Sequence, residues 1–170
     1  MTALALVLRR AEFAADRVVG IDGRTLAWRQ IPARGVWQSC RELLLDVAGD
    51  DEITAVGIAA AGRMRMRAGV VAPAEILEWR GGFGIVAAVQ RMFPIAAVQL
   101  APRSMCAALS ARGVGVAASE DVLTGAGLLA LLAEDYAIRH SSARDHGMEP
   151  IGQRPTGRWY PAACVRPRPR

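Results

Sequence analysis

Short apolar runs dominate the first thirty residues of the chain. Residues 3–8 are fully apolar, and residues 12–21 and 25–31 form two further strand-like segments on either side of Asp22-Gly23. An Asp-Gly pair between apolar runs is a strong hairpin signal, because both turn positions need positive φ. The pattern predicts three opening strands that are antiparallel neighbours.

A helical period begins near residue 36, and helices and strands alternate from there. Residues 36–48 place their apolar side chains on one helical face, and Gly49 follows as a left-handed cap. The inward positions are Val36, Trp37, Cys40, Leu43, Leu44 and Val47. Residues 53–59 and 69–72 are predicted strands, joined by a loop or hairpin in which Arg and Met alternate.

The second half of the chain continues this alternation up to about residue 140. The pattern predicts a helix at 84–93, a strand at 94–100 that begins at Pro94, and helices at 104–111 and 120–139. The expected inward residues are Ile85, Val89, Met92 and Phe93 in the first helix and Leu123, Leu128, Leu131 and Leu132 in the last, which Ser119 would cap and Gly125 and Gly127 would weaken.

The resulting order, β-β-β-α-β-β-α-β-α-α, indicates an α/β fold with a mixed β-sheet flanked by helices. Gly, Pro and Arg dominate from Ser141 onward. We therefore divide the chain into a folded lobe, residues 1–140, and a Pro/Arg-rich tail, residues 141–170, that is expected to be disordered.

Charge narrows the range of partners. The chain has 170 residues and a formal charge of +5, and all of its basic residues are arginine. Its 16 acidic residues all precede position 150, whereas the last 20 residues hold five arginines and no acid. The excess charge therefore sits in the tail rather than on the lobe, so we expect no nucleic-acid binding.

The sequence gives no indication of a metal site, a disulfide or a membrane span. Cys40, Cys106 and Cys164 are far apart, and His140 and His146 have no cysteine partners at ligand spacing. No apolar run reaches the roughly 18 residues of a membrane span, and the amino terminus lacks the charge order of a signal peptide. The expectation is a cytoplasmic protein with no metal site.

Several short motifs follow one another in a distinctive order. They are Gly57-Ile58-Ala59, Ala61-Gly62, Gly69-Val70-Val71, Trp79, Phe93-Pro94-Ile95 and Ala107-Ala108-Leu109. Over about residues 3–115 this set resembles the amino-terminal lobe of the ROK (repressor, ORF, kinase) family of glucokinase-like sugar kinases. The resemblance implies an actin-like ATPase, ribonuclease H-like fold, and it makes Gly62 and Gly69 the candidate substrate-binding residues.

The phosphate loop of that family is missing at the position that the resemblance implies. The family's first strand ends in Asp-x-Gly-Gly-Thr, whose glycines let backbone N–H groups approach ATP phosphates and whose Asp helps to position magnesium. Residues 6–11 read LVLRRA instead. A rival alignment places the loop at residues 18–25 (VVGIDGRT), with Asp22, Gly23 and Thr25, although little chain then separates it from Gly57.

The catalytic base is missing in the same way. In the family an Asn-Asp pair follows the strand that begins Phe-x-Pro-Val, and its Asp removes the proton of the sugar hydroxyl. Alignment on the following helix places the pair at Pro102-Arg103, and alignment on the strand start places it at Gln99-Leu100. Neither supplies a carboxylate, so we predict no catalytic residue.

Two interpretations of function follow from the resemblance. By lineage the chain is a ROK-type sugar kinase, which would use ATP and magnesium to phosphorylate a hexose. By its residues it is a pseudoenzyme with no matched cofactor site: a non-catalytic lobe that binds a sugar or a partner protein, self-associates, or is a truncated gene product. The family's second lobe, with its own glycine-rich loop and zinc cluster, has no counterpart after residue 115.

Overall fold

Alternating β-strands and α-helices build the protein. The computed structural model describes residues 2–9, 12–19, 24–33, 37–111 and 121–145. In these ranges the strands are β1 (Thr2–Leu8), β2 (Glu12–Val19), β3 (Arg24–Pro32), β4 (Ala55–Ala60), β5 (Arg63–Arg65), β6 (Val70–Ala72) and β7 (Ala97–Pro102). The α-helices are α1 (Trp37–Ala48), α2 (Ile85–Met92), α3 (Arg103–Ala111) and α4 (Asp121–Asp145).

Five of these strands form one mixed sheet in the order β3-β2-β1-β4-β7. Strand β1 pairs antiparallel with β2, which pairs antiparallel with β3. On its other side β1 runs parallel to β4, and β4 runs parallel to β7. The α/β fold with a mixed sheet and three antiparallel opening strands is therefore confirmed. The predicted turn at Asp22-Gly23 lies outside the described residues.

The two faces of the sheet differ in side-chain size. Leu4, Leu6 and Leu8 of β1 point to the face covered by α1 and α2, where they belong to the larger core. Ala3 and Ala5 alternate with them and point to the opposite face, under α4. Large side chains therefore hold the first helix layer at an ordinary distance, whereas small ones let α4 approach closely.

The close approach of α4 to the sheet and to α3 explains why two positions are occupied by glycine. A Cβ on Gly57 of β4 would collide with the backbone carbonyl of Ala126, and a Cβ on Gly125 would collide with the carbonyl of Cys106 in α3. Buried Ala126 and Ala130 face the sheet, whereas Leu132 is 56% exposed. The prediction that Leu132 faces inward is wrong, because Leu132 is two residues after Ala130, about 200° farther around the helix, and so lies on the side away from the sheet. Leu123 and Leu131 are buried as predicted.

Strand β7 begins later than the sequence pattern predicts. Pro94 and Ile95 form a turn after α2, and Ala97 starts the ladder by donating to the carbonyl oxygen of Thr54 at 2.9 Å. The predicted position of Pro94 as the first strand residue is therefore wrong. Pro102 instead ends β7, an edge strand, where a missing N–H is tolerated.

The ends of α1 and α4 can be compared directly with their predictions. Gly49 has a φ of 59° and donates to the carbonyl oxygen of Leu45 at 3.0 Å, which confirms the predicted cap of α1. Helix α4 continues to Asp145, so the boundary predicted between residues 140 and 141 falls inside it. Residues 146–170 and the predicted cap Ser119 lie outside the described residues. No helix in the described part of the chain is long and apolar enough to cross a membrane.

Aromatic stacking fixes the hairpin formed by β5 and β6 to the main core. Trp79 stacks on Phe13 of β2 with a centroid distance of 5.7 Å and on Phe83 at 4.4 Å. Phe83 in turn exchanges two backbone hydrogen bonds with Val71 of β6, at 3.0 and 2.8 Å. Of the two alternatives predicted for this segment, a loop or a hairpin, the structure shows the hairpin, with Arg63 and Arg65 exposed and Met64 packed against the core.

Candidate ligand site at the carboxyl edge of the sheet

Three parallel strands end side by side at one edge of the sheet. Val7 of β1 is paired with Ala59 of β4, and Ala59 is paired with Ala101 of β7. Continued one or two residues, this register brings Arg9, Ala61 and Arg103 to the same level, with neighbouring strands roughly 5 Å apart. Ligands of open α/β sheets bind outside the carboxyl ends of the strands. We name this region, Arg9, Ala61, Gly62 and Arg103, the carboxyl edge.

The connection from β1 to β2 begins at Arg9 and is only three residues long. The backbone N–H of Arg9 donates to the carbonyl oxygen of Glu12 at 2.9 Å, and its guanidinium Nη1 lies 3.9 Å from the Glu12 carboxylate oxygen Oε2. Leu6 is fully buried inside β1 and cannot form part of a loop. Arg9 is therefore the described residue at the position where the family's phosphate loop was expected, and residues 10 and 11 lie outside the described residues.

The rival phosphate-loop alignment falls on residues 18–25, of which residues 20–23 lie outside the described residues, but the strands on either side of them can be located. Strand β2 runs antiparallel to β1, so that Val19 is paired with Thr2 at the other end of the sheet. The described residues on either side of this segment, Val19 and Arg24, therefore lie at the amino edge. Strand β2 has eight residues, so about 25 Å separates Val19 from the carboxyl edge.

The transition from β7 to α3 decides between the two alignments of the catalytic pair. Gln99 and Leu100 lie within β7, whereas Pro102 ends the strand and Arg103 begins the helix. Only Pro102-Arg103 therefore lies at the carboxyl edge. Arg103 is partly buried, and its Nε atom is buried without a hydrogen-bond partner among the described residues. Arginine stays protonated at neutral pH and cannot act as a general base there.

The two candidate glycines lie at opposite ends of the β5–β6 hairpin. Gly62 precedes the pair Arg63–Ala72, next to the end of β4, whereas Gly69 lies at the tip beyond the pair Arg65–Val70. Both have positive φ, of 83° and 64°. A Cβ on Gly69 would lie 2.5 Å from the Cβ of Val86 in α2. The structure thus brings Gly62 to the carboxyl edge and gives Gly69 a packing role, and a sugar contact by either glycine stays a prediction.

The sequence did not identify two carboxylates as buried, and Glu134 had been interpreted as a helix-end or solvated charge. Asp16 of β2 is 4% exposed, and Glu134 of α4 is 9% exposed with its Oε2 atom buried without a hydrogen-bond partner in the described ranges. Burial raises the pKa of Asp16 to about 6, although hydrogen bonds from Thr25 and from the backbone of Arg17 oppose the rise. An acidic residue inside an apolar strand was the signal that could have found Asp16.

Neither Asp16 nor Glu134 lies at the carboxyl edge. Asp16 is paired with Ala5 in the middle of β1, and Glu134 lies beyond the contact of Ala130 and Leu131 with Ala3, toward the amino end of that strand. Among the described residues no group of three or more His, Cys, Asp or Glu side chains could hold a metal ion. Burial raises the pKa of the Cys40 thiol to about 12 and that of the Cys106 thiol to about 11, which disfavours their reactive thiolates.

Two sequence comparisons give no match. The sequence matches no protein-family profile and no curated protein. Structural comparison does find similar chains, at identities that establish the fold alone.

A ROK family glucokinase from Streptomyces griseus, solved with glucose and AMPPNP, superposes with a TM-score of 0.57 and 19% identity over 68% of this chain and 38% of its own. A ROK hexokinase from Thermus thermophilus gives 0.53 and 21%, over 68% of this chain and 40% of its own. A ROK family transcriptional regulator, a homolog of the E. coli MLC protein, gives 0.51 and 15%, over 65% of this chain and 30% of its own. The chain thus spans about 40% or less of these structures, and it has the actin-like ATPase fold of the ROK sugar kinases.

Proposed function

We propose that the chain is a ROK-type lobe that binds a sugar carrying an anionic group, such as a hexose phosphate, and does not transfer phosphate itself. One observation carries the proposal. Arg9 and Arg103 stand at the ends of β1 and β7, where the resemblance implies a phosphate loop and a catalytic aspartate.

Phosphoryl transfer to a sugar needs a group that accepts the hydroxyl proton and ligands that position magnesium. A guanidinium group supplies neither function, but it binds phosphate with paired, charge-assisted hydrogen bonds. Arg103 is also the first residue of α3, where the helix dipole disfavours a cation and favours an anion. An anionic ligand would offset the unfavourable charge of Arg103, whereas a neutral sugar or a magnesium ion would not.

Ligand-induced thermal shifts of the purified chain test the binding half of the proposal. Glucose 6-phosphate should raise the melting temperature more than glucose does, and magnesium with ATP should leave it unchanged. Arg103→Gln and Arg9→Gln should each reduce the shift. Arg91→Gln is the matched control, because Arg91 is exposed in the last turn of α2, near the start of β7 at the amino edge. Equal shifts in the control and in the edge variants would exclude the carboxyl edge as the binding site.

A second candidate function is supported by the fold itself. The similar glucokinase was solved with glucose and a nucleotide, so ATP-dependent hexose phosphorylation is the activity that the lineage favours. For this chain that activity would require a proton acceptor at the carboxyl edge other than Arg103. Turnover distinguishes the two candidates, because the binding lobe forms no product.

A further inference from the structure

Charges of opposite sign occupy the two ends of β4. The segment before the strand carries Asp50, Asp51 and Glu52, and the chain contains no basic residue between Arg41 and Arg63. The segment after it carries Arg63, Arg65 and Arg67, and no acidic residue occurs between Glu52 and Glu75. We name residues 50–52 the acidic turn and residues 63–67 the basic hairpin.

The sheet places these two segments at opposite edges of the molecule. The acidic turn lies at the amino edge, where the backbone N–H of Thr54 donates to the carbonyl oxygen of Thr2 at 3.0 Å. The basic hairpin follows the carboxyl end of β4. Because β4 has six residues, the two edges are separated by roughly 20 Å along the strand. The two segments of one molecule therefore face in opposite directions and cannot neutralise each other.

Contacts within the molecule leave much of this charge available. Asp51 forms an ion pair with Arg17 at 3.0 Å, but Asp50 and Glu52 are exposed and form no ion pair among the described residues. The three arginines of the basic hairpin are likewise exposed, and none has an ion-pair partner in the described ranges. One exposed apolar side chain also lies close to each segment in sequence, Met66 within the hairpin and Leu45 in the last turn of α1, which are 53% and 43% exposed.

The basic hairpin is held in a fixed orientation. Gly69, two residues after Arg67, accepts a hydrogen bond from the backbone N–H of Val86 at 3.2 Å. Val71 of the pairing strand β6 is hydrogen-bonded to Phe83, which stacks on Trp79. A charged surface on a fixed element loses little conformational entropy when it is covered. The hairpin is therefore suited to a specific partner with an acidic, equally compact surface.

We propose that two copies of this chain associate head to tail, with the basic hairpin of one copy against the acidic turn of the next. The two surfaces are complementary in charge, and each supplies one exposed apolar side chain to the centre of the contact. An interface between two different patches is heterologous, so it produces rings or open chains rather than a closed two-fold dimer. The association goes beyond the proposed ligand binding and does not depend on it.

Charge reversal with mixing tests this interface in the full chain. One variant carries Arg63→Glu, Arg65→Glu and Arg67→Glu, and the other carries Asp50→Arg and Glu52→Arg. All five positions are exposed, so circular dichroism and urea unfolding should confirm that both variants fold. Sedimentation velocity then measures the assembly state of each variant alone and of an equimolar mixture, with Arg91→Glu as the control for a charge change elsewhere.

At about 0.02 M salt the wild type and the control should assemble, with mass rising with concentration, and about 0.5 M salt should dissolve the assemblies because charges are then screened over a few ångströms. Each reversed variant alone should raise the apparent dissociation constant at least ~10-fold, and mixing the two should restore assembly. A wild type that is monomeric at low salt, a reversed variant that assembles as well as the wild type, or a mixture that stays monomeric would each overturn the proposal.

Discussion

Thr25 of the edge strand β3 donates a hydrogen bond of 2.7 Å from its hydroxyl to the carboxylate oxygen Oδ2 of Asp16 in β2. The two residues lie beside the point at which the register between β2 and β3 shifts, between Arg17 and Val18. Asp16 is 4% exposed, and its second oxygen, Oδ1, is buried without a partner in the part of the chain that the structure describes. One hydrogen-bonded oxygen thus compensates only part of the loss of hydration.

Replacing this carboxylate should stabilise the protein at neutral pH. Burial raises the pKa of Asp16 to about 6, above the value near 4 of an unfolded chain, so the native state holds the proton more tightly. The free energy of unfolding should therefore fall as the pH rises from about 4 to about 6, and it should be level above that range. Asp16→Asn keeps an acceptor for Thr25 and removes the charge, so it should add about 1–3 kcal/mol at pH 7.

Urea unfolding of the wild type and Asp16→Asn at pH 5 and pH 7.5 measures this effect. The difference between the two proteins should be larger at pH 7.5 than at pH 5. Asp46→Asn is the control, because Asp46 is exposed and is paired with exposed Arg29 at 3.4 Å. A variant that is less stable than the wild type at both pH values would show that the charged carboxylate stabilises the strand pair.

The contact between α4 and the sheet should tolerate no added carbon at its closest points. A Cβ on Gly57 or on Gly125 would overlap a backbone carbonyl, and a backbone cannot move aside as a flexible side chain does. Gly57→Ala and Gly125→Ala should therefore each lower the free energy of unfolding by about 1–3 kcal/mol or more, although alanine favours the helix at position 125.

Gly81→Ala provides the comparison for this pair, because no atom lies within 4 Å of a Cβ at that position. Chemical denaturation should place Gly81→Ala within ~0.5 kcal/mol of the wild type. If Gly57→Ala were equally harmless, helix α4 would have to lie farther from β4 than the structure places it.

Gly69 and Gly62 should differ in what an alanine does. Both have positive φ, which costs an alanine about 1 kcal/mol, but only at Gly69 does the new Cβ also collide with Val86. Gly69→Ala should therefore be the less stable variant, and its cost should be smaller when it is added to Val86→Gly, which lacks the Cβ that the new side chain would meet, than when it is added to the wild type.

A thermal shift with glucose 6-phosphate separates packing from ligand contact for these glycines. Gly62→Ala, at the carboxyl edge, should reduce the ligand-induced shift more than Gly69→Ala reduces it. The opposite ranking would place the ligand at the tip of the hairpin, and equal, undiminished shifts would remove both glycines from the site.

Most of the helices, strands and turns could be predicted from the sequence, because local patterns determine them. The period of α1, the alternation of Arg63, Met64 and Arg65, and the cap at Gly49 each follow from one segment and its own geometry. Contacts between distant segments could not be seen in this way. Leu132 was expected inside because leucine is apolar, yet the side of α4 that meets the sheet is the one that carries Ala126 and Ala130, and Leu132 lies on another side of the helix.

The candidate site, too, could be predicted only in part. The absence of a carboxylate at Pro102-Arg103 was visible in the sequence, but two alignments were possible until the end of β7 was known. The burial of Asp16 depends on neighbours in β1 and α4 that are remote in sequence. Arg9 and Arg103 come to one level only through the parallel register of β1, β4 and β7, which no local pattern reveals.

Turnover is the most direct test of the central claim, that the carboxyl edge binds an anionic sugar without transferring phosphate. Purified chain is incubated with magnesium, ATP and a hexose, and the sugar phosphate is measured by mass spectrometry, with Arg103→Gln prepared in parallel to expose any contaminating kinase. We predict no product above the background without protein for either preparation. Hexose-dependent product that the wild type forms and Arg103→Gln does not would contradict the claim and establish the chain as a sugar kinase.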